Sequence, residues 1–397
     1  MYPFKTIFST TMTLLVILST TAQNKKFKIN EEIISKLPEK VTIIGLGDPT
    51  HQESTITEFR VDLIKKLVNE KNFKIIAIEG NMYSLYKAHE EFMHTNDISN
   101  IERAMYSQLN LREMEELYHF VYEKNQKGDS ILITGFDINF SSDTFAEKME
   151  DDLKKIDFLS DDEKKDFVKQ LEKAQITNLK ALFRNNKKVK SNVSHYVNLI
   201  LSKFQPKSQA DYIFEQALRN LQFVFTPNSD ESSHNLRDMA MFNNLKFFRE
   251  IYPNQKIILF GSTTHLHKSS QEIYAPFFQN NRKALGDLLH QNYQDDYYFI
   301  AYSGLSGEKY NDFLIPVKIP ELDVNSIEYK YKDVDSVFYL DKSNASEEKL
   351  SSRIMGHSFL EMNIWNVMDG LVLIQNIKTA KIKKRQKSNE SIKILAK

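Results

Sequence analysis

The chain of 397 residues contains no cysteine. That excludes a disulfide framework and a lipid-attachment cysteine. It has no excess charge of either sign, with 53 basic residues against 53 acidic ones. No compact Lys/Arg stripe with interleaved aromatics occurs in the folded part, so nothing points to nucleic acid as a partner. No long apolar run is present either: the stretch Met12–Leu18 is too short to span a bilayer as a stable helix. His-Glu-x-x-His, the Gly-x-Ser-x-Gly elbow and internal repeats are all missing. What remains, 41% hydrophobic and 27% charged, is the composition of a globular protein with a full core. The length suits two domains or one large domain with an insertion.

The ends of the chain read as processing and tail segments. Lys5, the apolar stretch Met12–Leu18 and the small residues Ser19-Thr-Thr-Ala22 have the order of a secretory signal peptide. We expect residues 1–22 to be cleaved before Gln23, leaving an exported periplasmic or extracellular protein with no stable membrane insertion. The segment 379–397, with Lys381-Ile-Lys-Lys-Arg385, reads as a basic, solvated tail.

Between these ends, four short apolar runs each finish on an ionisable residue. Val41–Gly47 leads into Asp48-Pro-Thr-His51, and Lys74–Ile78 ends on Glu79. Ile131–Phe136 ends on Asp137, and Ile257–Phe260 leads through Gly-Ser-Thr-Thr to His265. Such runs, alternating with helical periodicity over 57–70, 84–93 and 113–124, predict strands of a mostly parallel central sheet flanked by helices, an α/β fold. Ligands of such sheets bind beyond the carboxyl ends of the strands. Asp48, His51, Glu79, Asp137 and His265 would gather there. From 142 to 233 glycine vanishes and Lys, Glu, Leu and Phe recur with helical period. This is expected to be a helical insertion folded as a lid over that rim, with Phe and Tyr forming an apolar cleft wall. It divides an α/β domain into halves at 23–141 and 234–378.

The chemistry can be read before any family is considered. A histidine near neutral pKa is the usual base for activating water, and it needs a carboxylate to orient its ring. His51 would be that base, with Asp48 or Glu79 as its carboxylate. Arg60, nine residues on, could pair with a carboxylate or stabilise an oxyanion. Asp48, His51, Glu79 and His265 could instead hold Zn²⁺, but without tight ligand spacing no metal and no cofactor are expected. Ser262, just beyond a strand, is an alternative nucleophile.

These residues resemble the erythromycin esterase family, whose first motif has Gly-Glu, two residues, His, then Arg nine and Glu twenty-eight residues later. Gly47-Asp48-Pro49-Thr50-His51, Arg60 and Glu79 fall at those spacings. Gly135-Phe136-Asp137, Arg237-Asp238 with Met241 and Asn244, Ala284–Leu289 with Tyr297–Tyr302, and Asp369–Ile374 are similar to later family segments. The resemblance implies metal-independent hydrolysis of a small-molecule ester or lactone by water activated at His51; in the family's named members the substrate is a macrolide lactone. Two departures stand out. Asp48 replaces a glutamate, and Phe260-Gly-Ser-Thr-Thr-His265 replaces a motif resembling Trp-Ala-His-Asn-Ala-His. His265 keeps the second histidine, Ser262 replaces the first, and His267 could compensate only if the loop bends back. Ser262, His267 and Asp137 are the expected substrate-binding residues. The alternatives are a binding protein that has lost the chemistry, or acyl transfer on a cell-envelope ester.

Overall fold

The strands expected from the apolar runs form the centre of the fold. The computed structural model describes residues 28–140, 142, 144–180, 187–225, 232–333, 336–345 and 349–383. The expected signal peptide, residues 1–22, and the part of the expected tail beyond Lys383 lie outside the described residues. No helix among those described is long and apolar enough to cross a membrane. The strands are β1 (Ile43–Asp48), β2 (Phe73–Asn81), β3 (Leu132–Asp137), β4 (Lys256–Ser262), β5 (Tyr297–Gly304), β6 (Glu308–Tyr310), β7 (Pro316–Lys318), β8 (Val337–Asp341), β9 (Lys349–Met355), β10 (Ser358–Asn363) and β11 (Gly370–Ile374). Seven build one sheet in the order β3-β2-β4-β1-β5-β11-β8. Its neighbours are parallel except β8, which closes the edge antiparallel to β11.

Strand alternation explains why both faces are apolar. Ile43, Ala77, Leu259 and Phe299 face one core, while Ile44, Leu46, Ile78, Phe260 and Ile300 face the other. Each fully buried Ile or Leu contributes about 1.5–3 kcal/mol relative to exposure. Helices Lys28–Lys36, Ser54–Lys71 and Glu115–Gln126 cover the second face. Helices Ser233–Ile251 and Leu285–Tyr293 cover the first. Gly47 is one tight spot in the sheet: a Cβ there would meet the Phe299 ring at 2.7 Å.

The helical insertion is present as Phe145–Leu153, Asp161–Lys180, Lys187–Lys203 and Gln209–Phe225. It does not occupy the position expected of a lid. Ile213, Phe214, Ala217, Leu218 and Leu221 make a helical stripe that joins the core of the first face, together with Tyr83 and Tyr86. Tyr83 donates to Asp152 Oδ2 and to the Lys148 carbonyl, both at 2.7 Å. None of the described residues of 142–233 lines the cavity at the strand ends.

The start of the expected tail also differs. Thr379 bridges to Glu53 and Ile382 to Leu111, while Lys383 pairs with Glu102 and Glu115. Its first five residues are thus packed along the α/β core.

Candidate active site

The β4 strand enters between β1 and β2, so the three carboxyl ends carrying Asp48, Glu79 and Ser262 are neighbours. Asp48 lies opposite Ser262, and Ile78 opposite Phe260. Asp48 shares the face of Ile44 and Leu46, where helix Ser54–Lys71 packs. Arg60 on that helix is fully buried and pairs with Asp48 Oδ2. It also donates to the carbonyls of Leu46 (2.7 Å) and Gly261 (3.2 Å), with its guanidinium 3.3 Å over the Phe260 ring. Arg60 therefore sits behind Asp48, away from the cavity. It makes the carboxylate pairing that was one of its two expected roles, and it does not line the cavity.

His51 stands in the left-handed region at φ 72°. That backbone is uncommon for a residue with a side chain and needs support. Asp48 supplies it: Oδ1 accepts the His51 backbone N–H at 3.1 Å and lies 2.9 Å from Nδ1. The other ring nitrogen, Nε2, lies 3.5 Å from Glu79 Oε2. Burial alone would lower the His51 pKa, but the facing Asp48 and Glu79 carboxylates outweigh it and hold the imidazolium well above the ordinary histidine range. Burial likewise works against ionised Asp48, and Arg60 and His51 overcome it, so its pKa is lowered.

Glu79 is the hub. Its Oε2 accepts the Ser262 backbone N–H at 2.8 Å; its Oε1 lies 3.2 Å from Arg237 Nη2 and 3.4 Å from His265 Nε2. Burial would raise its pKa, yet His265, His51 and Arg237 hold it well below the usual carboxylate range. Gly261 leaves room for this side chain, because a Cβ there would stand 3.0 Å from Glu79 Oε2.

A second aspartate–histidine pair flanks Glu79 on the other side. His265 Nδ1 lies 2.7 Å from Asp238 Oδ1, and its Nε2 is 3.3 Å from Arg237 Nη1. Asp238 also accepts from Arg282 Nη2 (2.5 Å) and the Leu285 N–H (3.0 Å). Arg237 in turn grips Asp137 through Nε (3.1 Å) and Nη2 (2.6 Å). Tyr106 donates to Asp137 at 2.8 Å.

These groups border a cavity of about 500 Å³. Its wall includes His51, Glu79, Ser262 and His265 from the sequence-derived set, and Tyr106, Leu109, Asn139, His234, Arg237, Phe277 and Arg282 beyond it. Asp48, Arg60 and Asp137 stand one layer back. His267 takes a different place from the one expected of a substrate-binding residue. It is fully buried, with Nδ1 on the Thr263 carbonyl (3.0 Å) and Nε2 on Ser270 (2.9 Å). Both ring nitrogens are thereby used inside the protein. The Ser262 hydroxyl accepts the Thr264 N–H at 3.1 Å as a helix cap. Among the described residues no group of three or more His, Cys, Asp or Glu is arranged to hold a metal ion. A larger open groove, about 870 Å³, runs between helices Gln209–Phe225 and Ser233–Ile251 and shares none of these residues.

The sequence marked Arg237-Asp238 only as similar to a later family segment and gave it no place at the site, yet Arg237 reaches the cavity. The signal was there: both residues sit in the first turns of a helix capped by Ser232. Arg282 and His234 carried no comparable signal.

The His51 loop is braced from far along the chain. The β9–β10 hairpin turns at Gly356 and His357, both left-handed at φ 60° and 57°. The Gly356 N–H donates to the Pro49 carbonyl at 3.0 Å. His357 Nε2 lies 2.7 Å from Glu53 Oε1, the same oxygen that accepts from Thr50.

A mostly parallel sheet whose carboxyl rim sets two aspartate–histidine pairs around one glutamate is a framework that suits a hydrolase. The family model for erythromycin esterases matches residues 68–370. The chain belongs to the erythromycin esterase family. The matched region begins after Asp48, His51 and Arg60. The chain is 24% identical over 318 residues to YbfO of Bacillus subtilis (strain 168), whose name carries the word hydrolase; the match covers 72% of this chain and 69% of YbfO. A succinoglycan biosynthesis protein superposes with a TM-score of 0.72 at 17% identity, covering 87% of this chain and 90% of that one. A mutant of the erythromycin esterase EreC in its open conformation gives 0.65 at 18% identity, covering 89% and 94%. At those identities the structural matches speak for the fold.

Proposed function

We propose that this protein is an exported hydrolase that splits a carboxylic ester or lactone with water activated by His51. The observation that carries the reading is the His51 ring, held between Asp48 and Glu79 with one edge on the cavity. In the neutral ring the proton sits on Nδ1, 2.9 Å from Asp48 Oδ1, and Nε2 is the base. As the water oxygen attacks the carbonyl carbon, Nε2 takes its proton, and Asp48 and Glu79 hold the imidazolium. Arg237, whose side chain is 32% exposed, faces the negative charge developing on the carbonyl oxygen. When the carbon–oxygen bond breaks, His51 returns the proton to the leaving alkoxide. One water is consumed, and an acid and an alcohol result.

The test is mass spectrometry of the mature protein from Gln23 onward with a panel of esters and lactones, including fourteen-membered macrolides. Wild type should give a product heavier by one water for a lactone, or split an open-chain ester into acid and alcohol. His51→Ala should fold and give none. Turnover by His51→Ala at the wild-type rate would remove His51 from the mechanism.

A further inference from the structure

Resting on the ester-hydrolase reading, we infer that the substrate carries a carboxylate, which docks on the outer cavity wall formed by His234 and Arg282 around Phe277. The cavity wall is asymmetric in charge. Five basic side chains line it: His51, His234, Arg237, His265 and Arg282. Among the described residues Glu79 is the one acid that does, and its two oxygens are already engaged by Ser262, Arg237 and the two histidines. Asp48, Asp137 and Asp238 compensate the charge from behind, each at most 1% exposed. A solute entering the cavity therefore meets N–H donors first, and low-dielectric walls strengthen what it meets.

The outer wall adds what the catalytic set does not use. The Arg282 side chain is only 3% exposed; Asn235, the Lys283 carbonyl and Asp238 hold its two Nη atoms, so it lends the wall a fixed positive charge, while its buried Nε has no hydrogen-bond partner. The Phe277 ring, 45% exposed, lies 5.6 Å from the Arg282 guanidinium carbon and 5.4 Å from the His234 ring. His234 is in the first turn of the nineteen-residue helix Ser233–Ile251, at the positive end of its dipole. Among the described residues, Leu109 and Phe277 are the only aliphatic or plain aromatic side chains lining this cavity. Such a wall suits a small, oxygen-rich anion and opposes a substrate bearing an amine.

The experiment uses a matched pair, 4-acetoxybenzoate and its neutral isostere 4-acetoxybenzamide, with 4-hydroxybenzoate and 4-hydroxybenzamide as binding probes. We expect kcat/KM to favour the benzoate by about tenfold or more, the gain of one charge-assisted contact. The preference should narrow as salt rises to about 0.5 M, and His234→Glu should erode it. Equal hydrolysis of both esters overturns the carboxylate assignment and leaves the esterase reading standing. If neither ester is cleaved but 4-hydroxybenzoate binds in preference to the amide, and His234→Glu abolishes that preference, the esterase reading fails while the anion site stands. Absence of both turnover and binding overturns both.

Discussion

Replacing His357 by alanine should cost both stability and turnover, though His357 is no part of the cavity wall. Glu53 and His357 are each 1% exposed, and their contact is 2.7 Å. Removing the imidazole leaves the Glu53 carboxylate with the Thr50 hydroxyl on Oε1 and nothing on Oε2. Breaking one partner from a buried pair typically costs about 3–5 kcal/mol. At roughly 2 °C per kcal/mol for a chain of this size, Tm should fall by about 6–10 °C. The second effect is local. Thr50 and Glu53 flank His51, which is held at φ 72° against its own preference. With the brace gone the loop samples other backbone states, and kcat should fall more than KM rises, because the ring must be aligned in the transition state. Differential scanning fluorimetry and steady-state kinetics on His357→Ala and His357→Asn measure the two effects. Asparagine tolerates the left-handed turn but cannot span to Glu53, so it separates turn strain from the lost contact. A Tm within about 1 °C of wild type, with unchanged kcat, would refute the reasoning.

Three further outcomes follow from the site. His51 must be neutral to act as a base, and its neighbours hold it protonated above the ordinary histidine range; the acidic limb of the kcat/KM profile should therefore lie above that range, and Glu79→Gln should move it down. The same raised pKa makes His51 stabilise the fold fully below its unfolded pKa, a contribution lost as pH rises through the folded value; denaturant titrations across that interval should show the decline. Gly261→Ala would place a methyl 2.9 Å from Phe136 and 3.0 Å from Glu79 Oε2. It should destabilise by about 1–3 kcal/mol and lower kcat by displacing Glu79, read by chemical denaturation and a rate assay.

Much of this was legible from local pattern. The apolar runs ending on Asp48, Glu79 and Asp137 are strands because each is buried on both faces, a property written in its own residues. Strand order was not legible, since nothing local says that β4 enters between β1 and β2. Two roles were open for Arg60 from its spacing to His51, pairing with a carboxylate or facing an oxyanion; the helix face it occupies turns it inward and makes the first of these, with Asp48. The insertion's helices were evident from periodicity, but their apolar stripes could have packed over the rim or against the sheet face, and only tertiary contacts decide. The brace between Glu53 and His357 spans 304 positions. It left no trace in either segment.

The placement of β4 also sets a timetable for the molecule's assembly. β1 and β2 are separated in the sheet by β4, a gap of roughly 10 Å that leaves their facing edges unpaired until it is filled. During synthesis β4 emerges only after the entire helical insertion. The first 140 residues can pair β2 with β3 but not bring β1 into its native place, and the strand edges left open are sites for wrong pairing until the insertion is complete. A truncated product ending before Lys256 would be a natural client for chaperones and proteases.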